Sequence, residues 1–305
     1  MMSASPPLLF LPDRDGLRMD TWLSECLADR SRTYVQRLIA SGRVTLSGRA
    51  VRAGERTRAG TPVLVEMPPP EPVDAIPQDI PLRILHEDDW LLVLDKPRGL
   101  VVHPAPGHPD GTLVNALLAH CGNRLSDANG GLRPGIVHRI DKDTSGLLLV
   151  VKDNRIHDAL ARQIARHEVV RRYLALVHGT IREDTARIEA PIGRHPVHRK
   201  KMAVVAAGRP AVTRIRVLDR FRASTEIEAE LETGRTHQIR VHMAYIGHPV
   251  IGDPLYGPAG ADGRFRGQLL HAFRLDFVHP ATQKPMHFET PPPPEYLAAR
   301  EVLSA

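Results

Sequence analysis

The stretch GIVHRIDKDTSGLLLVV, residues 135–151, sets polar and charged side chains directly before an apolar run. The apolar run, Leu147–Val151, is typical of a strand that must be buried. A loop fixed at the end of such a strand is where binding and catalytic groups are commonly placed. The stretch therefore predicts a core strand with a candidate site in the loop that precedes it.

Within this loop, Asp141 lies among Arg139, Lys142 and Asp143. Nearby cations keep a carboxylate ionised, as a nucleophile or general base requires. Three other interpretations compete. The run 143–145 has residue types that cap helices, the Asp141/Asp143 pair could bind Mg²⁺, and a P-loop relative is disfavoured because its Gly-rich run is absent. Local chemistry leaves these alternatives open.

The segment from Leu17 to Val65 predicts a compact basic module. One amphipathic helix is indicated by an apolar stripe that begins at Met19, and a second by the stripe 34–39, with Ser31 as its cap and Gly42 as its end. Short strands are expected at 44–46 and 63–65. The module holds nine arginines against four acidic residues, which suits RNA phosphates; the candidates for RNA contact are Arg32, Arg37 and Arg43.

Residues 67–81, MPPPEPVDAIPQDIP, contain six prolines and predict an extended linker. The expected domains are therefore 17–66, the linker 67–81, and a catalytic domain over 82–300. In the last of these, strands are expected at 91–94, 147–151, 173–177 and 227–231, with a helix carrying Ile156, Leu160 and Ile164. Since strands and helices do not alternate strictly, the predicted fold class is α+β with a mainly antiparallel mixed sheet.

Composition narrows the function classes. The net charge of +6 and a pI near 9.6 are compatible with an anionic partner. The two cysteines, Cys26 and Cys121, form no CxxC pair, which argues against a disulfide framework and a cysteine-based zinc site. No apolar run has the length of a membrane span, and the run at Leu8 is too short for a signal peptide core. A cytoplasmic protein that does not bind membranes is expected.

The run His138–Leu147, HRIDKDTSGL, resembles the HRLDxxTSGL signature of the RluA family of RNA pseudouridine synthases. Ile140 replaces the usual leucine, a volume-conserving exchange. The resemblance implies that Asp141 is the catalytic carboxylate. It also implies the family's reaction, an isomerisation of uridine that requires no cofactor and no metal.

Further segments are similar to the family in order and spacing. Arg171-x-Tyr173-x-Ala175 resembles its K-x-Y-x-A motif, with arginine replacing lysine, and implies that Tyr173 stacks on the target base and helps to move the C5 proton. The run 234–242, GRTHQIRVH, resembles a third signature, which implies that Arg240 pairs with Asp141. Without the resemblance, Tyr173 would be interpreted as a core tyrosine and Arg240 as an arginine on a surface strand.

Two histidines in this third signature, His237 and His242, are five residues apart, and on a strand they would point to opposite faces. A zinc site is therefore not expected there. The basic run 194–201 suits phosphate binding. The candidates for RNA contact outside the N-terminal module are Arg139, Arg235, His237, Arg199, Lys200 and Lys201.

The N-terminal module resembles an S4 RNA-binding domain, through Arg18-Met19-Asp20, Ser31-Arg32 and Gly42-x-Val44. Within the RluA family this layout is similar to the RluD type, which implies large-subunit (23S) ribosomal RNA as the partner, with RluC-type or tRNA substrates as alternatives. A monomer is expected. Two other classes, a non-catalytic ribosome assembly factor and a metal-dependent nuclease using Asp141 and Asp143, stay open at this point.

Overall fold

The structure is a computed structural model that describes residues 7–27, 32–68, 75–104, 108–128, 134–198, 201–258 and 264–305. Its helices are α1 Met19–Cys26, α2 Arg32–Ala40, α3 Leu113–Cys121, α4 Asn154–Ala165, α5 Gln238–Tyr245 and α6 Pro294–Ser304. Its strands are β1 Leu8–Phe10, β2 Val44–Leu46, β3 Arg49–Ala50, β4 Val63–Val65, β5 Arg83–Glu87, β6 Leu91–Lys96, β7 Ser145–Val151, β8 Val170–His178, β9 Thr185–Glu189, β10 Ile192–Arg194, β11 Met202–Val204, β12 Val212–Arg220, β13 Ser224–Leu231, β14 Leu270–Val278 and β15 Pro285–Glu289.

The N-terminal module is a four-stranded sheet, in the order β1-β4-β2-β3, that shares a hydrophobic core with α1 and α2. Both predicted helices and the two predicted strands are confirmed. Ser31, the expected cap of α2, lies outside the described residues. The sheet also includes β1, which precedes Leu17 and pairs antiparallel with β4. A three-residue strand carries too little periodicity to be predicted from sequence.

The larger sheet has nine strands in the order β5-β6-β7-β14-β8-β13-β12-β9, and β15 pairs with β14. Its pairs are antiparallel except β7 with β14. The predicted α+β class with a mainly antiparallel sheet is confirmed, and so are the four expected strands and the helix that carries Ile156. Every residue of β7 is buried, as its apolar sequence requires.

Gly146 allows β7 to lie against β14. Its φ is +111°, and a Cβ built there would lie 2.2 Å from the carbonyl oxygen of Ala272. Only glycine tolerates both this backbone conformation and this approach. The close contact fixes the first residues of β7 within the sheet. The loop that carries Asp141 precedes these residues and is fixed with them.

One alternative left open by the sequence is excluded, and one expectation is wrong. The run 143–145 does not cap a helix, because the strand β7 begins at Ser145. Residues 238–245 form the helix α5, so the strand assumed for His237 and His242 is absent. His237 immediately precedes α5, with φ +56°, and His242 is buried within it. In the described part of the chain, no helix is both long and apolar enough to cross a bilayer.

Candidate active site

A buried lysine binds the backbone next to the loop that carries Asp141. Lys96, at the end of β6, donates from Nζ to the carbonyl oxygens of Pro97, Leu100 and Lys142, at 2.8, 2.9 and 3.0 Å. Burial lowers the pKa of Lys96 to about 7. Three carbonyl acceptors nevertheless match the three donors of an ammonium group, and we assign the charged form at neutral pH on that geometry. Lys96 thus fixes the backbone beside Asp141.

Asp141 faces a buried arginine across this loop. Arg240, in the first turn of α5, donates from Nη1 to Asp141 Oδ2 at 2.8 Å. The Asp141 side chain is 16% exposed and that of Arg240 is 4% exposed, so the carboxylate meets solvent while its partner does not. The pair predicted from the sequence is therefore present in the structure, with the carboxylate on the open side.

Asp253 holds the other edge of the same guanidinium. Its Oδ2 accepts from Arg240 Nε at 2.6 Å and its Oδ1 from Nη2 at 2.9 Å. Burial opposes the charge of Arg240, but the hydrogen bonds to Asp253 and the charge of Asp141 outweigh it and raise the pKa of Arg240. A planar guanidinium clamped on two edges has one orientation. Arg240 therefore presents Nη1 to Asp141 in a fixed direction.

The start of α5 is fixed by Gln238 rather than by a capping side chain. Gln238 Oε1 accepts from Thr233 Oγ1 and from the Arg235 backbone N–H, at 2.7 and 2.9 Å. Its Nε2 donates to the carbonyl of Val212 at 2.9 Å. These bonds tie the first turn of the helix to β12 and so position Arg240.

His237 stands next to the carboxylate. Its Nε2 lies 3.9 Å from Asp141 Oδ1, and its Nδ1 lies 2.8 Å from the hydroxyl of Tyr256. Burial lowers the pKa of His237, against the opposing effect of Asp141. The guanidinium of Arg240 also lies over the Tyr256 ring, and its Cζ atom is 5.2 Å from the centre of that ring. The sequence predicted that His237 contacts RNA, and the structure places it beside the Asp141 carboxylate.

Tyr173 lies on β8 with its side chain toward Asp141. Its neighbours on the two adjacent strands are Ala229 on β13 and Ala272 on β14. Small residues on both sides leave space for the ring over the sheet. Tyr173 is buried, and burial raises the pKa of its hydroxyl. The hydroxyl is therefore protonated at neutral pH.

A cleft of about 720 Å³ opens over Asp141 and Tyr173. We call it the arginine cleft, because its lining contains one acidic residue, Asp141, and five arginines: Arg37, Arg139, Arg171, Arg209 and Arg235. Its volume is in the range of ligand pockets. Arg37 and Thr33 come from α2, so the N-terminal module contributes one wall. An excess of positive charge around a single carboxylate is suited to a polyanion that must deliver one group to that carboxylate.

The other predicted RNA contacts are distributed more widely. Arg32 donates from Nη2 to the buried carboxylate of Asp20 at 2.8 Å, so its guanidinium is engaged within the module. Arg43 precedes β2 and is half-buried. Lys201 lies beside the hairpin of β10 and β11, whereas Arg199 and Lys200 lie outside the described residues. Arg235 lines the cleft and donates from Nε to the carbonyl of Pro210 at 3.0 Å.

Sequence reasoning did not assign roles to four residues that the structure places at the site. Arg171 stands in the segment similar to the K-x-Y-x-A motif, and Gly252-Asp253 and Tyr256-Gly257 also resemble the family pattern. The contacts of these residues depend on burial, which a single sequence does not show. Arg209 has no local signal at all, since an isolated arginine is usually a solvated surface residue.

Among the described residues, one group has the composition and spacing of a metal site: Glu87, His120 and Cys121. It includes neither Asp141 nor Asp143, which the sequence had left open as a Mg²⁺ pair. Glu87 is already paired with Lys152 Nζ at 2.8 Å and with His120 Nε2 at 2.7 Å. The carboxylate beside the cleft is instead neutralised by Arg240.

The sheet, the cleft and the Asp141–Arg240 pair define an enzyme with a carboxylate at the base of a cationic cleft. Comparison with known proteins identifies its family. Residues 90–245 match the family described as RNA pseudouridylate synthase. The chain is 50% identical over 276 residues to an uncharacterized RNA pseudouridine synthase, YlyB, of Bacillus subtilis, covering 90% of each chain. It is 44% identical over 299 residues to the ribosomal large subunit pseudouridine synthase D of Pseudomonas aeruginosa, covering 92% of this chain and 90% of the relative.

Among solved structures, a human RNA pseudouridylate synthase domain containing protein 1 has a similar fold. The TM-score is 0.56 at 27% identity, over 70% of this chain and 84% of the human chain. The protein therefore belongs to the RNA pseudouridylate synthase family. It is an RNA pseudouridine synthase, an isomerase, and the RluA-type, RluD-like resemblance of its sequence is confirmed.

Proposed function

We propose that the protein isomerises uridines of large-subunit (23S) ribosomal RNA, with Asp141 as the catalytic carboxylate. The observation that carries the proposal is a cleft lined by five arginines that opens over one carboxylate, and this carboxylate is held by a buried arginine. The substrate is inferred from relatives at 44–45% identity whose names specify the ribosomal large subunit. A stem-loop at the subunit interface, the substrate implied by the RluD type, is the expected target.

The reaction requires the target uridine to leave its stack. Extrusion of a base from a loop or bulge costs a few kcal/mol, and phosphate contacts can offset this cost. Arg139 and Arg235 line the arginine cleft together with Asp141, and Arg37 extends its positive surface onto the N-terminal module. These side chains would hold the RNA backbone while the base enters.

Inside the cleft, Asp141 acts on the ribose while Tyr173 stacks on the uracil. The N1–C1′ bond breaks, the base turns, and C5 joins C1′; the C5 proton is lost and N1 gains a proton. No group is donated and no net redox change occurs, so the chain's own residues suffice for this balance. Arg240, oriented by Asp253, keeps the carboxylate aimed at the ribosyl carbon.

The domain division belongs to the same proposal. Residues 17–66 would act as an S4-like RNA-binding domain, 67–81 as a linker and 82–300 as the catalytic domain. The wall that Thr33 and Arg37 contribute to the cleft supports a direct role of the module in binding. A cytoplasmic monomer that docks on a large RNA, without membrane association, is the expected physiological form.

The test compares Asp141→Asn with Asp143→Asn, a matched change two residues away. Ribosomal and transfer RNA from cells that lack the gene would be incubated with each purified full-length protein, and pseudouridines would be mapped by carbodiimide-block primer extension. We expect wild type and Asp143→Asn to restore sites in 23S rRNA, and Asp141→Asn to restore none while binding RNA within about twofold of wild type.

Different outcomes separate the parts of the proposal. Restoration of tRNA sites alone would refute the ribosomal substrate. Activity of Asp141→Asn near that of wild type would refute the catalytic assignment. Equal loss in both variants would show that the loop, and not the Asp141 carboxylate itself, is needed.

A further inference from the structure

The wall of the arginine cleft contains a buried cation for which the described residues provide incomplete pairing. Arg171, on β8, is 5% exposed, and its Nε and Nη2 atoms are enclosed without a hydrogen-bond partner in the described part of the chain. Gly234 lies against the same group, since a Cβ at that position would be 2.9 Å from Arg171 Nη1. The cleft lining includes both residues. The Arg171 guanidinium is therefore packed into the cleft wall, and its Nε–H and Nη2–H donors have no acceptor among the described residues.

His138 contributes a second unused donor to the same wall. The Leu149 backbone N–H donates to His138 Nε2 at 3.0 Å, so the ring proton of the neutral histidine is on Nδ1. Nδ1 is enclosed and has no partner among the described residues. Burial, assisted by the charge of Arg171, lowers the pKa of His138 to about 3. At neutral pH His138 is thus a neutral N–H donor near a buried cation.

Such an arrangement is unfavourable in the protein alone. Burial of donors without acceptors and of a cation without a counter-charge both destabilise a fold. Burial lowers the pKa of Arg171, yet a guanidinium remains charged in proteins. The arrangement is therefore expected where a ligand supplies acceptor atoms or negative charge.

The position of Arg171 indicates which part of the substrate supplies these acceptors. Arg171 and Tyr173 are two residues apart on β8, so their side chains leave the same face of the sheet, and both are buried. A base stacked on Tyr173 lies beside Arg171 at the depth of the cleft. A phosphate belongs to a continuous backbone, which stays nearer the mouth, where Arg139 is exposed.

We propose that Arg171, together with the Nδ1–H of His138, binds the carbonyl oxygens of the target uracil and stabilises the base while it is detached from the ribose. This inference rests on the proposed function. When the N1–C1′ bond breaks, the bonding pair stays on the uracil, whose negative charge is shared by O2, O4 and the ring. After rotation, an electron pair at C5 forms the bond to C1′, C5 loses its proton and N1 gains one. Arg171 and His138 exchange no proton in this sequence and lower the energy of the anion.

The experiment measures single-turnover rates and RNA affinity for Arg171→Gln and Arg171→Lys, with the full-length protein and total RNA from cells that lack the gene. Arg171→Gln removes the charge and should lower the rate by about 100-fold or more, the usual loss for one preorganised donor to a developing anion. Arg171→Lys keeps a buried cation and should stay within about tenfold of wild type. The dissociation constant should change by less than about twofold in both.

Two further readouts separate this role from others. If Arg171 contacts a phosphate, Arg171→Gln should weaken binding and reduce the slope of log affinity against log salt by about 0.7, with the rate at saturation unchanged; this would overturn the proposal. A structural role would lower the melting temperature of Arg171→Gln, whereas loss of an unpaired buried charge should leave it equal or higher. A fall in melting temperature that accompanies the loss of rate, or an unchanged rate, also overturns the proposal.

The comparison is made on whichever RNA the wild type modifies. If the wild type modifies tRNA alone, the ribosomal assignment fails while the role of Arg171 is still measured. If 23S sites are modified and Arg171→Gln is fully active, the ribosomal assignment stands and the role of Arg171 is refuted. The two failures are therefore distinguishable in one experiment.

Discussion

Replacement of Asp253 by asparagine tests whether the clamp on Arg240 determines catalysis. The Asp253 side chain has no exposed surface and accepts four hydrogen bonds, two from Arg240 and one each from the backbone N–H groups of Leu255 and Tyr256. Asparagine can keep the three bonds that Oδ1 accepts. In the position of Oδ2, asparagine would place an NH₂ group, which is a donor, opposite the Nε–H donor of Arg240. The hydrogen bond that Oδ2 now accepts from Nε at 2.6 Å would be lost.

The expected magnitude follows from this geometry. Removal of one partner of a buried ion pair destabilises a protein by about 3–5 kcal/mol. Arg240 would retain Asp141 as a counter-charge, so we expect the lower end, a loss of about 3 kcal/mol in the free energy of unfolding. Release of the guanidinium edge would also let Nη1 move relative to Asp141. A misplacement of about 1 Å in a catalytic group can lower a rate by about 10²-fold, and we expect a loss of this order in the single-turnover rate.

Urea unfolding followed by tryptophan fluorescence gives the stability, and pseudouridine formation at saturating protein gives the rate. Asp184→Asn is a matched control, because Asp184 pairs with Arg220 on the surface and is 86% exposed; its loss should be below about 1 kcal/mol with an unchanged rate. A rate equal to wild type in folded Asp253→Asn would refute the orienting role of the clamp. A destabilisation no larger than that of the control would refute the energetic reasoning.

Three further changes test separate parts of the structure. In thermal unfolding, Gly146→Ala should destabilise the protein by at least about 3 kcal/mol, because its Cβ meets the Ala272 carbonyl. The control is Gly247→Ala, where φ is +86° and the space around the Cβ is open; it should destabilise the protein by about 1–2 kcal/mol. Burial lowers the pKa of His157 from 6.5 to about 4, so the unfolded chain takes up a proton first as the pH falls. As the pH falls from 6.5 to about 4, His157 should therefore lower the free energy of unfolding by about 1.4 kcal/mol per pH unit. Urea titrations at each pH should show that His157→Gln lacks this contribution to the pH dependence. Tyr173→Phe keeps the ring but loses the hydroxyl that is expected to assist transfer of the C5 proton. RNA affinity in a binding titration should be unchanged, and the single-turnover rate of product formation should fall by about 10²-fold.

Sequence alone determined the main elements of the N-terminal module, several strands of the large sheet and the reaction class. Three features are local patterns, because each depends on residues that are close in the chain. They are the apolar run after Asp141, the two apolar stripes of the N-terminal module and the 138–147 signature. The class α+β also followed, because the order of strands and helices is a property of the sequence. The assumed strand at 237–242 failed because alternating polar and apolar residues there did not distinguish a strand from the short buried helix α5.

The family resemblance implied the Asp141–Arg240 pair, but tertiary structure alone decided how the rest of the site is assembled around it. Arg240 is 99 residues from Asp141 in the chain, and Asp253 is a further 13 residues beyond Arg240, so no local pattern shows that one guanidinium joins them. The unused donors of Arg171 and His138 depend on which atoms are enclosed, and enclosure is a property of packing across several strands. Residue types and spacing specify which groups are available, whereas burial and orientation, which determine charge and direction, arise only when distant segments pack together.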